Sequence, residues 1–282
     1  MTRVTVERSA PAKINLYLRV VGRQPDGYHE IDSLFLPLEL ADRVTLDLRP
    51  DRSRRVSCRC PGHSGLDGAD NLAARAADLL LRQLDRDAEV EITLHKQIWV
   101  AAGLGGGSSD AAAVLCLLRG ALGHADLDLA PLARQLGADV PYFLDPKVAR
   151  ARGIGDRLTA VEGIPALDLV LVNPGERVST AQVYGGLGSI PSRGWQLPFP
   201  ITADNLADLL HNDLEAPARR ICPSIDAMRE AVMQSGASAA GLSGSGPTLF
   251  GLYPDAVAAR SAAKNIADTT RFSVQVTRTV AA

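Results

Sequence analysis

Seven consecutive residues, Gly103-Leu104-Gly105-Gly106-Gly107-Ser108-Ser109, run straight into a helical segment, a combination able to hold a phosphate. A helix N-terminus leaves backbone N–H groups without partners and carries partial positive charge, so it attracts anions. Glycines at 103, 105, 106 and 107 remove the Cβ atoms that would hold a phosphate off the backbone. Ser108 and Ser109 add hydroxyls for phosphate oxygens or Mg2+. Two familiar loops do not fit. A P-loop ends in Gly-Lys-Ser/Thr, and no lysine stands between Gly107 and Ser108. A dinucleotide fingerprint needs a third glycine at position 108 and an acidic residue ending the next strand. Position 108 is serine, and Asp126 and Asp128 fall between predicted helices. A plain turn is the remaining alternative, and the entropy lost in ordering so many glycines argues against it.

Other candidate groups are fewer. A second glycine-rich turn spans residues 241–246 and includes Gly244, Ser245 and Gly246, where a tight β-turn is an equally good reading. The four cysteines are Cys58, Cys60, Cys116 and Cys222, and the close pair is C-x-C, not the C-x-x-C of zinc sites. The expectation is reduced thiols in packing roles and no metal site. His63, His95, His124 and His211 show no paired ligand spacing.

Alternating and β-branched runs at 4–6, 14–21, 31–38 and 44–48 predict an antiparallel sheet. Asp70-Asn71 opens a helix to about residue 84. A strand at 90–95 feeds the glycine loop, and the loop feeds a helix over 108–118, with Ala111, Val114, Leu115 and Leu118 on one face. A shorter helix at 129–136 ends at Gly137, and 138–141 reads as a turn or loop. Strands at 167–172, 248–253 and 272–277 and helices near 204–210, 224–233 and 255–267 follow, the pattern of a second α+β domain. Residues 185–200 are the best candidate for a mobile surface loop.

The 282 residues, 46% of them hydrophobic, are enough for one large or two smaller domains with a substantial core. Lys plus Arg number 30 against 32 Asp plus Glu, so no charge footprint suggests nucleic acid or an anionic membrane. Any anion must be bound locally. Residues 1–11 alternate valine with charge and lack an apolar core of signal-peptide type, and no apolar run approaches membrane-spanning length. The expected compartment is the cytoplasm.

Three separated segments together resemble the GHMP kinases: Pro11-Ala12-Lys13-Ile14-Asn15-Leu16, then Ala101-Ala102 through the glycine loop to Asp110-Ala111-Ala112, and Gly241-Leu242-Ser243-Gly244-Ser245-Gly246-Pro247. Their order and spacing span nearly the whole chain. The resemblance implies an α+β fold of two domains, ribosomal-protein-S5-like to about residue 163 and ferredoxin-like over 164–282. It also implies ATP with Mg2+ as its counter-ion. Gly22-Arg23-Gln24-Pro25-Asp26-Gly27-Tyr28-His29-Glu30, the segment from Leu136 to Phe143 and Asn212-Asp213-Leu214-Glu215 point, within that family, to a kinase acting on a cytidine-diphosphate-linked sugar alcohol of isoprenoid precursor synthesis. Kinases of the homoserine or mevalonate type, and a nucleotide-binding sensor without catalysis, are the alternatives. Neither nucleic acid nor membrane is an expected partner, and the chain is expected to be a monomer or weak homodimer. Two departures are Trp99-Val100, where the family usually has proline, and Leu144-Asp145-Pro146-Lys147, where it often has glycine.

The resemblance assigns Asp139 as catalytic base and Lys13 as its cationic partner. Phosphoryl transfer needs such a proton acceptor and positive charge on the transferring oxygens. Outside the motifs, Asp139 would read as a turn cap and Lys13 as a solvated strand lysine. Asn15, two residues on and so on the same strand face, could orient the substrate hydroxyl or be a structural amide. In the family an aromatic at Tyr28 stacks on cytosine and His29 reads the base edge. Tyr184 matches the second stacking aromatic, near Thr180. Gly103, Gly105 and their neighbours Ala101, Ala102 and Leu104 hold the ATP phosphates. Asn71 and Lys96 could line the adenosine pocket, or serve as N-cap and solvated lysine.

Overall fold

The computed structural model describes residues 3–25, 27–50, 53–188 and 206–281. The chain packs as two compact units, one comprising Met1–Ala12, Leu40–Val100 and Gly105–Pro146, the other Lys13–Glu39, Ala101–Leu104 and Lys147–Ala282.

Two long strands, β1 (Val4–Arg23) and β2 (His29–Pro50), replace the four short ones expected from the N-terminal pattern. Pro11, in the gap between the first two runs, and Pro37, near the end of the third, weaken strand propensity yet occupy strand positions here.

In the first unit, residues 43–50 of β2 pair antiparallel with β4 (Ala88–His95), and β4 pairs parallel with β3 (Arg55–Arg59). Helices α1 (Leu72–Gln83) and α2 (Gly106–Ala121) pack on each other, and α1 also packs on β3 and β4. Ala73, Ala76, Ala77, Leu80 and Leu81 of α1 and Ala111 to Leu115 of α2 form that core, small side chains allowing close approach. Asn71 caps α1, accepting from Ala73 N at 2.9 Å. After α3 (Ala130–Leu136), the predicted 138–141 turn is only two residues long. Val140 and Pro141 already belong to α4 (Val140–Leu144), where proline loses no helical bond at the first turn.

In the second unit, residues 31–35 of β2 pair antiparallel with β5 (Ala149–Gly153), which pairs with β6 (Arg157–Ala160). Tyr17 and Leu18 of β1 pair parallel with β8 (His211–Asn212). A separate antiparallel sheet has the order β11 (Ser273–Arg278), β7 (Asp168–Asn173), β10 (Leu249–Tyr253), β9 (Ala239–Leu242). Leu169 to Val172 and Leu249 to Phe250 are fully buried beneath α8 (Ser224–Gln234) and α9 (Ala256–Thr269). Three short helices, α5 (Thr180–Gly185), α6 (Leu206–Leu209) and α7 (Glu215–Ile221), complete it. Sequence periodicity missed α5 and α7 because one or two turns display too little of a 3.6-residue repeat. Of the segment expected to be mobile, Gly185 ends α5, and residues 189–200 lie outside the described residues, as do 204 and 205 of the predicted 204–210 helix.

All four cysteines are free thiols, Cys116 half-buried and the others buried. Among the described residues no helix is long and apolar enough to cross a membrane.

Candidate active site

The first unit supplies the N-terminus of α2. Gly105 occupies its N-cap in the left-handed region, with φ +73°, and no side chain caps the helix. The first-turn N–H groups are therefore left for a ligand or water. Gly107 is exposed with nothing within 4 Å of where a Cβ would stand, whereas a Cβ on Gly106 would approach Ile98 Cγ2 to 3.0 Å. Ser108 is half-buried; Ser109 is buried, and its hydroxyl has no hydrogen-bond partner among the described residues.

Beneath this helix start lies a buried charge cluster. Lys96 Nζ bonds Asp42 Oδ2 and, at 2.6 Å, Asp110 Oδ2, with the three side chains 5%, 0% and 3% exposed. The other Asp42 oxygen accepts from Gln97 N at 2.6 Å and Ile98 N at 2.9 Å. Burial pushes the Asp110 carboxyl up to about 6; Lys96 opposes the rise and Asp42 adds to it. Burial alone would pull Lys96 down, but Asp110 and Asp42 together outweigh it and hold the ammonium above its usual range.

Asp139 stands half-buried on the turn between α3 and α4. Its charge is felt by Tyr142, whose phenol is raised first by burial and then by the Asp139 carboxylate.

The second unit holds the loop's other end. Gly103 has φ +76°, and a Cβ there would fall 2.2 Å from the Ser243 carbonyl oxygen. Glycine is required at this position by the approach of the second glycine turn, in addition to any phosphate. Ser243 Oγ donates to Gly103 O at 2.9 Å, and Thr248 N donates to Ala102 O at 3.4 Å. Lys13 N donates to Leu104 O at 3.0 Å, so β1 and the turn both fasten residues 101–104.

Lys13 and Asn15 are buried on one face of β1, as their spacing predicted, with Lys13 Nζ 2.7 Å from Asn15 Oδ1 and 4.6 Å from the centre of the Phe35 ring. Asn15 Nδ2 donates to Ser33 Oγ at 2.8 Å, which fixes the orientation of the amide. The imidazole of His29 stacks on Tyr184, ring centres 4.9 Å apart, while Tyr28 is 59% exposed beside it in sequence. Burial, followed by the Arg23 charge, lowers the pKa of His29, so the ring is neutral at pH 7. Thr180 and Tyr184, one helical turn apart on α5, share a face; Thr180 Oγ1 lies 2.8 Å from Ser245 Oγ.

Several residues expected in one site are thus joined directly: Lys13 with Asn15, His29 with Tyr184, Thr180 with Ser245. Asn71 and Lys96 are already bonded within the protein, so an adenosine contact from either would be made alongside those bonds. Asn71 Nδ2 donates to Leu66 O at 2.8 Å besides capping α1. Asp42 and Ser33 were not singled out from sequence for the roles they fill, whereas Ser243 lies in the second glycine turn that the family resemblance picked out. Their partners are far along the chain, and a local pattern carries no signal for that.

Models of two family domains match the chain: "GHMP kinases N terminal domain" over residues 71–145 and "GHMP kinases C terminal" over 201–270. The chain is 44% identical over 278 residues to the 4-diphosphocytidyl-2-C-methyl-D-erythritol kinase of Citrifermentans bemidjiense, covering 96% of this chain and 98% of that one. It is also similar to a crystal structure of 4-(cytidine 5'-diphospho)-2C-methyl-D-erythritol kinase, with a TM-score of 0.82, 41% identity, and coverage of 98% of this chain and 100% of that one. The homoserine kinase of Cytophaga hutchinsonii shares the fold, with a TM-score of 0.75 at 18% identity and coverage of 98% and 95%.

Proposed function

The chain belongs to the GHMP kinase family, and we propose that it transfers the γ-phosphoryl group of ATP to the erythritol 2-hydroxyl of 4-diphosphocytidyl-2-C-methyl-D-erythritol, in the non-mevalonate route to isoprenoid precursors. The observation that carries the reading is the 44% identity maintained over 278 residues, nearly the full length of both chains. The homoserine-type alternative shares only the fold, at 18% identity.

In this reading the open N–H groups of α2, with Gly107 and Ser108, bind the phosphates of ATP. Asp139 accepts the proton of the acceptor hydroxyl as the new O–P bond forms, and the bond to the ADP oxygen breaks in line. Lys13 places its ammonium near the charge that develops on the transferring oxygens, held by Asn15. Ser108, whose hydroxyl is less deeply buried than that of Ser109, fits a ligand to Mg2+ carried by the phosphates, and the ion would neutralise phosphate charge. The cytosine ring is sandwiched between Tyr28 and Tyr184, and the neutral His29 offers one donor and one acceptor to its edge. The four free thiols support a cytoplasmic site of action.

A coupled assay of ADP release with the cytidylyl substrate, comparing the wild type with Asp139→Asn, tests this. Loss of about 10²–10⁴-fold in kcat for the variant is expected. Equal rates in the two proteins sink the assigned mechanism, and faster wild-type turnover on homoserine or mevalonate sinks the assigned acceptor.

A further inference from the structure

The segment Asn212-Asp213-Leu214-Glu215 has no part in the chemistry just described, yet its first residue is bonded at every polar atom of its side chain. Asn212 Nδ2 donates to Leu242 O at 2.8 Å and to Gly244 O at 2.7 Å, the two carbonyls that flank Ser243. Its Oδ1 accepts from Leu214 N at 2.9 Å. An amide that spends both N–H donors on one turn fixes that turn's position and orientation, since each carbonyl accepts along a limited range of directions. The neighbouring backbone is tied as firmly: Asp213 N donates to Leu18 O at 2.9 Å, and Asp213 Oδ2 accepts from Val20 N at 2.7 Å. The clamp therefore stands on β1, the strand that carries Lys13 and Asn15.

The turn so held is the one that fastens the glycine loop. Between Leu242 and Gly244, Ser243 donates to Gly103 O at 2.9 Å, and a Cβ on Gly244 would meet that oxygen at 3.2 Å. Gly244 has φ +58°, a left-handed conformation that glycine adopts without steric cost. We propose that Asn212 is a positioning residue for ATP: through Leu242 and Gly244 it sets Ser243, and through Ser243 it sets the backbone of residues 101–104 that leads into the phosphate-binding helix. It touches neither substrate. The inference rests on the reading of the glycine loop as the phosphate site.

The substitution that tests it is Asn212→Asp, which keeps the size of the side chain and the acceptor for Leu214 N. It turns a second carboxylate oxygen toward two carbonyls in place of the donor. The steady-state constants and amide hydrogen exchange of the full chain are measured together. The expected result is a rise in KM for ATP on the order of tenfold, from two lost hydrogen bonds, with KM for the cytidylyl substrate changed less than about threefold. Exchange is expected to quicken in peptides covering residues 98–108 and 240–250 and to stay at the wild-type rate in α9. Glu215→Gln, which breaks the 2.6 Å ion pair with Arg229 in the same segment, is expected to leave KM for ATP unchanged. An unchanged KM for ATP overturns the inference, and so does faster exchange in α9 and the turn alike, the mark of general destabilisation. Should Asn212→Asp fail to fold, Asn212→Ala, which only removes the donors, is judged on the same two outcomes. A wild type that releases no ADP with the cytidylyl substrate counts against the proposed acceptor instead, and the exchange pattern then decides the inference.

Discussion

The ammonium of Lys13 donates to Asn15 Oδ1 across 2.7 Å, so one buried amide holds the cation assigned to the transferring phosphoryl group. Asn15 is in turn held by Ser33, whose hydroxyl donates to Tyr17 O at 2.5 Å and so presents a lone pair to Asn15 Nδ2. Asn15→Leu, which keeps the shape and removes both polar ends, is expected to lower kcat by about 10–100-fold and stability by about 1–3 kcal/mol, because Ser33 and Lys13 lose a buried partner. Steady-state kinetics and thermal melts of the purified variant check this; an unaltered kcat would show that the amide does not position the lysine.

Gly103 and Gly107 separate two uses of glycine. Gly103→Ala brings a Cβ to within 2.2 Å of the Ser243 oxygen at φ +76°, so a loss of about 2–4 kcal/mol in folding stability is expected. Gly107→Ala meets no protein atom within 4 Å, and its melting temperature should stay within a few degrees of wild type while KM for ATP rises. Equal melting temperatures for the two variants would contradict the packing role of Gly103.

The Asp110 carboxyl, raised to about 6 chiefly by burial, gives a pH-dependent stability. The folded chain keeps a proton there that the unfolded chain, with an ordinary aspartate near 3.9, releases. The stabilisation is complete below about pH 4 and is lost as pH rises through about 6. Subtracting the stability curve of Asp110→Asn from that of wild type should leave a fall of about 1–3 kcal/mol across this window. Lys96→Met, which strands two buried carboxylates, is expected to cost about 3–5 kcal/mol at pH 7 and less at pH 5. Denaturant melts from pH 4 to 7.5 measure both, and a flat difference curve would refute the assignment.

Tyr184 stacks on His29 at 4.9 Å, which braces the ring that reads the base in the proposed substrate complex. Tyr184→Ala should raise KM for the cytidylyl substrate by roughly tenfold or more, from about 1–3 kcal/mol of lost stacking, and leave KM for ATP near wild type. Because the pKa of His29 is lowered by burial and then by Arg23, substrate KM should be flat above pH 7 and change only on acidification below the usual histidine range. A KM that still varied between pH 7 and 8.5 would show that another group governs binding.

Elements whose signal is local were legible in the chain. The Asn71 cap and the helix after it, the apolar face of α2, the strands β7 and β10 and the helix α9 all follow from periodicity and terminal residues, because helix and strand bonds and caps lie within a few residues of each other. The alternation along β1 likewise placed Lys13 and Asn15 on one face. The short helices α5 and α7 and the two-residue strand β8 offered no such repeat, and the merging of four predicted strands into β1 and β2 depended on partners supplied from elsewhere.

The sequence by itself determined the glycine loop, the three family segments and the kinase family, since residue types at fixed spacing carry all of these. What it left undecided was why each residue of the loop is what it is. The four glycines look alike in the chain, yet Gly103 yields to Ser243, 140 residues away, Gly106 lies against Ile98, and Gly107 stays open. Lys96 reads as a solvated lysine or an adenosine contact until Asp42, 54 residues distant, and Asp110 are seen to enclose it. These are hydrogen bonds and close approaches between segments far apart in the chain. Only the tertiary fold, by bringing the segments together and excluding water between them, gives such pairs their geometry and their energy.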